Sequence, residues 1–283
     1  ASAVSPVGGL TQVYALLGHP VRHSLSPQMH NAAFRAAGIK AVYVPLEVAA
    51  SRLEEALNGL HASGVRGLNL TTPHKEAAFS LANALTGDAL EALAVNTLRW
   101  EERGWRGHAT DGVGFLAWIS EARIEVKGRR VLLLGAGGAA RSILPKLRAL
   151  GPAEVRVVSR AGERAAALAE AAAGPGAAAP LIAATAMRDE GAARAGGSWD
   201  LLIRALPTTL ISAEEDCWWR RLSPAATVID LNYAERSEPA RERAAAGGRR
   251  YEDGLALLVH QGAASFEFWT GRRPALDAMK GAL

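Results

Sequence analysis

Short apolar runs alternate with helix-length segments along the whole chain. Between two of the runs, residues 52–61 place Leu53, Leu57 and Leu60 on one face of a predicted helix. This alternation is typical of an α/β architecture with largely parallel sheets. The apolar runs predict strands at residues 14–17, 41–46, 67–70, 130–134, 154–158, 201–205 and 227–231.

The length of 283 residues favours two domains at roughly 150 residues each. The motif TDGVG at residues 110–114 opens a helix that we expect to bridge two lobes, and a second crossing is predicted near Asp253. The predicted fold class is therefore a two-lobed α/β protein. It combines a discontinuous N-terminal α/β substrate domain, residues 1–110 and 254–283, with a Rossmann domain, residues 111–253.

Composition excludes several classes of protein. Hydrophobic residues make up 49% and charged residues 21%, which excludes wholesale disorder. The net charge of +4 comes without a run of like charges, so we expect no nucleic-acid partner. The single cysteine, Cys217, excludes an internal disulfide and a cysteine-based metal site, and it suits a reducing compartment.

No membrane or export segment is predicted. The N-terminus lacks a basic region before its first apolar run, unlike a signal peptide. Residues 165–186 are rich in alanine, but they predict a helix, a turn containing Pro175 and Pro180, and a short strand. We expect a cytoplasmic protein without a bound metal.

A glycine-rich turn follows the predicted strand at residues 130–134. It matches G-x-G-x-x-A, in which Gly135 permits a tight turn, Gly137 lets a pyrophosphate approach the backbone, and Ala140 allows close packing. A turn without a ligand is the alternative, but the surrounding strand–helix–strand unit favours dinucleotide binding. The expected cofactor contacts are Gly135, Ala136, Gly137, Gly138 and Ala139.

The end of the next predicted strand discriminates between dinucleotides. An NAD site favours a carboxylate there, whereas this chain has Ser159, Arg160 and, soon after, Arg164. Two guanidinium groups suit a 2′-phosphate, with about 1.5–3 kcal/mol for each charge-assisted bond. NADP is therefore favoured over NAD. The alternative is that both arginines are merely solvated at a helix start, where a cation is disfavoured without an anion.

Polar residues occupy positions in the N-terminal half where apolar ones would pack better. Buried amides and hydroxyls need partners, and a ligand with several hydroxyl groups would supply them. Each position also has a simpler explanation, such as a helix cap, a turn or a solvated surface site. The candidates are Ser24, Ser26, Asn69, Thr71, Lys75, Asn96, Asp111 and Gln261.

Six motifs together resemble the shikimate dehydrogenase family from about residue 14 to residue 271. They are HSLSP, GLNLTTPHK, AVNT, TDGVG, GAGGAAR and LVHQGAASFEFWTG. The resemblance implies NADP-linked, reversible reduction of 3-dehydroshikimate to shikimate in a cleft between a substrate lobe and a Rossmann lobe. It leaves open a quinate or quinate/shikimate dehydrogenase and a non-catalytic nucleotide-binding paralogue. It also leaves open a monomer or a homodimer.

Residue roles are implied by the same resemblance. Lys75 and Asp111 would form the acid–base pair. The substrate carboxylate would bind to Ser24 and Ser26 beside Tyr233, and the substrate hydroxyls would contact Asn69, Thr71, Lys75, Asn96, Asp111 and Gln261. The cofactor would contact the glycine turn together with Ser159, Arg160, Arg164 and Gly254.

The chain departs from the family pattern at two places. After the second Rossmann strand it has Ser159–Arg160–Ala161 where relatives usually have Asn-Arg-Thr. Beside the nicotinamide, where the family typically has Asn-Ala-Thr, it has Arg204, Ala205 and Leu206. We therefore expect weaker NADP affinity and a reshaped nicotinamide pocket.

Overall fold

The computed structural model describes residues 7–173, 181–195 and 197–283. The chain forms two compact units: unit 1 comprises Ala1–Phe115 and Leu258–Leu283, and unit 2 comprises Leu116–Leu257. The boundaries predicted from the sequence lie just before Asp111 and Gly254. The boundary in the structure therefore lies about five residues later and places Asp111 in unit 1. There its neighbour Thr110 is hydrogen-bonded to Asn96.

Unit 1 contains a mixed six-stranded sheet in the order β2-β1-β3-β5-β6-β4. Strand β1 pairs in parallel with β2 and β3, whereas β5 is antiparallel to both β3 and β6. The elements are β1 (Gln12–Gly18), α1 (Ser26–Ala36), β2 (Ala41–Glu47), α2 (Leu53–Ala62), β3 (Gly67–Leu70), α3 (Lys75–Leu81), β4 (Ala84–Leu85), α4 (Gly87–Ala92), β5 (Thr97–Glu101), β6 (Gly104–His108) and α5 (Thr110–Glu121).

The β5–β6 hairpin is absent from the sequence-based prediction. Its charged residues interrupt the apolar pattern, while Trp105 is buried and Gly104 takes a positive φ of 130° at the turn. In β6 only alternate residues are buried, and in β5 only Thr97 and Leu98 are, so neither strand has the continuous apolar run that predicts a strand.

Unit 2 contains a parallel six-stranded sheet in the order β12-β11-β10-β7-β8-β9. This is a doubly wound arrangement in which the strand order reverses between β7 and β10. The elements are β7 (Arg130–Leu134), α6 (Gly138–Ala149), β8 (Glu154–Ser159), α7 (Gly162–Ala172), β9 (Leu181–Ala186), α8 (Glu190–Ala195), β10 (Trp199–Arg204), α9 (Ala213–Trp219), β11 (Leu222–Asp230), α10 (Glu238–Ala246) and β12 (Arg250–Glu252).

Helices α11 (Leu255–Thr270) and α12 (Leu276–Lys280) complete the chain. In unit 1, Phe266 of α11 packs against Phe34, and Trp269 donates a hydrogen bond to the Leu98 carbonyl at 2.9 Å. Gly67 makes room for this indole, because a Cβ there would lie 2.5 Å from its nitrogen.

None of the helices among the described residues is both long and apolar enough to cross a membrane. The turn predicted around Pro175 and Pro180 lies outside the described residues.

His30 of α1 is enclosed by aromatic rings in the core of unit 1. It stacks on Tyr43 with ring centroids 4.5 Å apart, and Trp269 lies 5.1 Å away. Burial lowers the pKa of His30 to about 3, so the folded protein holds this ring neutral. In the unfolded chain His30 takes up a proton near its ordinary pKa of 6.5, whereas in the folded protein it does not. The stability that neutral His30 supplies is therefore present above pH 6.5 and is lost as the pH falls towards 3.

We predict that the free energy of unfolding of His30→Phe depends less on pH below 6.5 than that of the wild type. Between about pH 6.5 and 4.5 the free energy of unfolding of the wild type should fall by on the order of 2 kcal/mol more than that of the variant. Urea unfolding followed by circular dichroism at a series of pH values measures the difference. Exposed His23, changed to Phe, is the control. An equal fall in wild type and His30→Phe would contradict the prediction.

Candidate active site

A lysine and an aspartate of unit 1 form a short ion pair. Lys75 begins α3, Asp111 lies in the first turn of α5, and Lys75 Nζ is 2.6 Å from Asp111 Oδ2. Their side chains are 18% and 7% exposed. Partial burial reduces solvent screening of the two charges. Asp111 is also the anion that a lysine at a helix start requires.

Asn96 holds the aspartate and the start of α5 in place. Its Nδ2 donates to Asp111 Oδ1 at 2.8 Å and to Thr110 Oγ1 at 2.9 Å, while its Oδ1 accepts from the Thr110 backbone N–H at 2.7 Å. Both carboxylate oxygens of Asp111 are therefore engaged, one by Asn96 and one by Lys75. Gln261 Oε1 lies 3.4 Å from Asn96 Nδ2. The structure thus brings together four of the predicted site residues.

Asn69 is hydrogen-bonded to the same network, and its amide hydrogens have acceptors within the protein. The Nδ2 donates towards the Asn96 carbonyl, Thr97 Oγ1 and Ser265 Oγ at 2.9–3.2 Å, and Oδ1 accepts from the Tyr43 hydroxyl at 2.9 Å. An amide nitrogen has only two hydrogens. Asn69 therefore ties together the sheet and α11, and its contact with a substrate hydroxyl stays a prediction.

Three buried hydroxyl groups complete the network, and the sequence reasoning missed all of them. Thr97 and Ser265 lie 2.8 Å apart, and each is 3.1 Å from Thr110 Oγ1. All three residues are 0% exposed. In the sequence each of them is a small polar residue next to an apolar run, which is the feature that could have indicated it. Such residues become conspicuous only once their burial is known.

The two serines of HSLSP form a local pair at the start of α1. Ser24 Oγ donates to Ser26 Oγ and accepts from the Ser26 backbone N–H, both at 3.2 Å. Ser24 thereby accepts from the first amide of α1, although the N-cap residue is Leu25, which makes no side-chain cap hydrogen bond. Thr71 follows β3, and its methyl group lies only 2.4 Å from where a Cβ on Gly18 would be. The serines and Thr71 thus follow neighbouring parallel strands, β1 and β3.

The glycine turn of unit 2 connects β7 to α6. Gly135 has a φ of 116°, and a Cβ there would lie 2.4 Å from the Ala205 carbonyl oxygen, so only glycine fits. Gly137 is the residue before α6, and a Cβ there would meet no atom within 4 Å. The protein's own packing therefore does not require glycine at Gly137, and the open space suits a ligand against the helix amides. The turn and the start of α6 also contain Ala136, Gly138 and Ala139.

The carboxyl end of β8 presents cations to solvent. Ser159 is the last residue of the strand and is 9% exposed, Arg160 follows it and is exposed, and Arg164 is exposed in the first turn of α7. No carboxylate follows the strand directly, because the next residues are Ala161 and Gly162. This donor set fits a phosphate better than ribose hydroxyl groups.

Tyr233 and Gly254, the remaining predicted contacts, lie in unit 2. Tyr233 is half-buried after β11. A Cβ on Gly254 would lie 2.2 Å from the Leu231 carbonyl oxygen, and its N–H donates to the Asn232 carbonyl at 2.8 Å. Backbone packing alone therefore requires glycine at this position. The ligand contacts of both residues stay predictions.

Arg204, at the segment where we expect a reshaped nicotinamide pocket, points into the core of unit 2. Its side chain is 0% exposed and pairs with Glu215 and Asp230. Any influence on a ligand must therefore pass through the residues that Arg204 holds.

Family models match three segments of the chain. Residues 16–98 match the shikimate dehydrogenase substrate binding domain, residues 119–186 match shikimate / quinate 5-dehydrogenase, and residues 254–283 match the shikimate 5′-dehydrogenase C-terminal domain. The chain is 40% identical over 278 residues to the shikimate dehydrogenase (NADP(+)) of Moorella thermoacetica, covering 95% of this chain and 91% of that protein.

Solved structures of similar proteins agree with these matches. The shikimate dehydrogenase of Aquifex aeolicus has a TM-score of 0.84 at 30% identity, covering 98% of this chain and 99% of that one. The shikimate 5-dehydrogenase of Thermus thermophilus, in complex with NADP(H) and shikimate, has a TM-score of 0.81 at 33% identity, covering 96% and 98%. By sequence and by fold, over nearly its whole length, the chain belongs to the shikimate dehydrogenase family.

Proposed function

We propose that this chain is an NADP-dependent shikimate dehydrogenase, which reversibly reduces 3-dehydroshikimate to shikimate. The Lys75–Asp111 pair carries the proposal, because a partly buried ion pair held by an amide is suited to proton transfer and sits on a chain of the matching family. A protein that only bound nucleotide would have no chemical use for this pair.

The pair serves the proton side of the reaction. NADP, when bound, supplies the hydride acceptor or donor. In alcohol oxidation the reacting hydroxyl of the substrate must lose a proton, and in reduction it must regain one. A positioned acid–base group contributes about 10²–10⁴-fold to such a step. Lys75 Nζ presents three N–H groups, of which one is directed to Asp111, so it can also reach a substrate oxygen. The two groups act as one coupled pair.

The other polar residues of unit 1 are proposed as substrate contacts. Thr71 and Gln261 would form hydrogen bonds with ring hydroxyls, and Ser24 with Ser26 would bind the carboxylate. Asn96 would accept from a ring hydroxyl through its Oδ1, because both of its amide hydrogens already have protein acceptors. Asn69 contributes by holding the network in place, since its amide hydrogens already have protein acceptors. Tyr233 is proposed at the carboxylate.

Unit 2 is proposed as the NADP-binding domain. The pyrophosphate would lie at the turn from Gly135 to Ala139, where a Cβ on Gly137 would meet no atom within 4 Å and α6 begins without a side-chain cap. Ser159, Arg160 and Arg164 hold the 2′-phosphate, and Gly254 lines the cofactor site. We further expect a cytoplasmic monomer or homodimer that binds no nucleic acid.

The direct test is reduction of NADP by the purified chain with shikimate, followed by NADPH absorbance. The same assay with quinate and with NAD separates the rival activities. We expect the highest kcat/KM for shikimate with NADP. A higher value for quinate with NAD would replace the proposal by a quinate dehydrogenase. Binding of NADPH without turnover of 3-dehydroshikimate would indicate a non-catalytic protein.

Lys75→Ala should lower kcat by about 10²–10⁴-fold while changing substrate affinity much less, because the proton step loses its donor. Steady-state kinetics and shikimate binding by calorimetry measure the two effects. Exposed Lys40, changed to Ala, is the matched control and should leave both values unchanged. Near-normal kcat in Lys75→Ala would remove this residue from the mechanism.

Changing Arg160 and Arg164 together to Ala should weaken binding of NADPH selectively over NADH, because only NADPH carries the 2′-phosphate. Titration of both cofactors by fluorescence gives the ratio of their affinities. The double variant Arg103→Ala/Arg272→Ala removes two exposed cations from unit 1 and controls for net charge. Equal weakening of NADPH and NADH would contradict a phosphate clamp.

A further inference from the structure

Arg204 ends β10 at the point where the sheet of unit 2 changes direction. In register it lies opposite Leu134, the last residue of β7, and Asp230, the last residue of β11. Ligands of doubly wound sheets bind beyond the carboxyl ends of the strands at this change of direction. Arg204 therefore lies at the strand end that borders the proposed cofactor site.

The segment that follows Arg204, residues 205–210, forms one wall of the glycine turn. The Ala205 N–H donates to the Leu134 carbonyl at 2.7 Å, and the Ala205 carbonyl oxygen lies 2.4 Å from where a Cβ on Gly135 would be. The segment belongs to no helix or strand, and Leu210 at its far end is 75% exposed. Its position must therefore be set by other contacts.

Side chains supply those contacts. Arg204 Nη2 reaches Thr208 Oγ1 at 3.4 Å and the Leu210 carbonyl at 3.3 Å. Asn232 Nδ2 donates to the Leu206 carbonyl at 3.0 Å, and the same nitrogen donates to Asp230 Oδ1. The buried cluster thus holds the segment directly through Arg204 and indirectly from Asp230 through Asn232.

Two carboxylates hold the guanidinium in turn. Arg204 Nε donates to Glu215 Oε1 at 2.7 Å, and Nη1 donates to Asp230 Oδ2 at 3.4 Å. Trp219 Nε1 donates to the same Glu215 oxygen at 3.0 Å, which fixes its orientation. The guanidinium fork is therefore locked in one geometry.

Burial of these three charged groups is unfavourable for the free energy of folding. One cation faces two buried carboxylates, and burial raises the pKa of Asp230 to about 6 against the opposing attraction of Arg204. Buried ion pairs of this kind add little net stability compared with apolar side chains of similar volume. A cluster of this cost is better explained by the geometry it imposes than by the stability it adds.

We propose that Arg204 is a positioning residue for the cofactor: with Glu215 and Asp230 it fixes residues 205–210 as the wall beside the part of NADP remote from Arg160. The inference rests on the proposed function. In the proposed site Arg160 and Arg164, after β8, would hold the 2′-phosphate and the glycine turn after β7 would hold the pyrophosphate, so the rest of the dinucleotide would extend towards β10. Arg204 itself is buried and does not touch the ligand.

The test compares a whole ligand with half of it. Arg204→Met removes the donors while keeping similar volume. NADP should bind about 10- to 100-fold more weakly and kcat/KM should fall by a similar factor, because a small misplacement of a contact wall is costly. Adenosine 2′,5′-bisphosphate, which covers only the adenosine side, should bind as to the wild type. Calorimetry measures both affinities without turnover.

Arg130→Met is the matched control. Arg130 also pairs with a glutamate, Glu154, at 2.8 Å, but it lies at the amino end of β7, away from the proposed site. It should change neither affinity. Unchanged NADP binding in Arg204→Met, or equal weakening of NADP and the bisphosphate, would overturn the proposal.

A neutral variant covers the case in which Arg204→Met does not fold. Arg204→Met/Glu215→Gln/Asp230→Asn removes all three charges together, which avoids an unpaired buried carboxylate. The same two affinities decide the outcome, with the same selective loss expected for NADP. A wild type that binds NADP but does not oxidise shikimate would end the proposed function, and the binding comparison would still test Arg204.

Discussion

The hydrogen bonds of the Asn96 side chain are the constraint on which the candidate site depends. One amide bonds the carboxylate of Asp111 and both the hydroxyl and the N–H of Thr110, and lies within reach of Gln261. Asn96 is 3% exposed, so a lost partner would not be replaced by bulk water, at a cost of about 1–3 kcal/mol for each unsatisfied group. Asp111 consequently has one orientation, and that orientation directs its second oxygen to Lys75.

Unit 2 shows the same principle with charges in place of amides. Residues 205–210 border the glycine turn without belonging to a helix or strand. The buried guanidinium of Arg204 holds them by hydrogen bonds in place of backbone pairing. In both units the groups expected to meet a ligand are positioned by polar side chains that are themselves buried and satisfied. Such an arrangement favours precise placement, because it has few alternative geometries of similar energy.

The sequence predicts features that depend on local pattern. Continuous apolar runs give the bounds of β3 and β7 as the structure has them, and the glycine spacing locates the turn into α6. The β5–β6 hairpin and the buried hydroxyls of Thr97, Thr110 and Ser265 escape prediction, because burial on one face is a property of the folded chain. The direction of Arg204 escapes it for the same reason.

The residue types at the site carry chemical information that their sequence positions alone do not. Asn69 illustrates this: its polarity in an apolar strand marks it correctly as unusual, but only the partners of its amide show that its hydrogens are already used. Lys75 and Asp111 are far apart in the sequence, and their 2.6 Å contact is the tertiary fact that gives the pair a common role.

A double-mutant cycle on this pair tests the central claim most directly. The values of kcat for shikimate oxidation would be measured for the wild type, Lys75→Ala, Asp111→Ala and the double variant. If the two groups act as one proton-transfer unit, the double variant loses about as much activity as the more damaged single variant, so the effects are strongly non-additive. Additive losses would show two independent contributions and contradict the coupled pair.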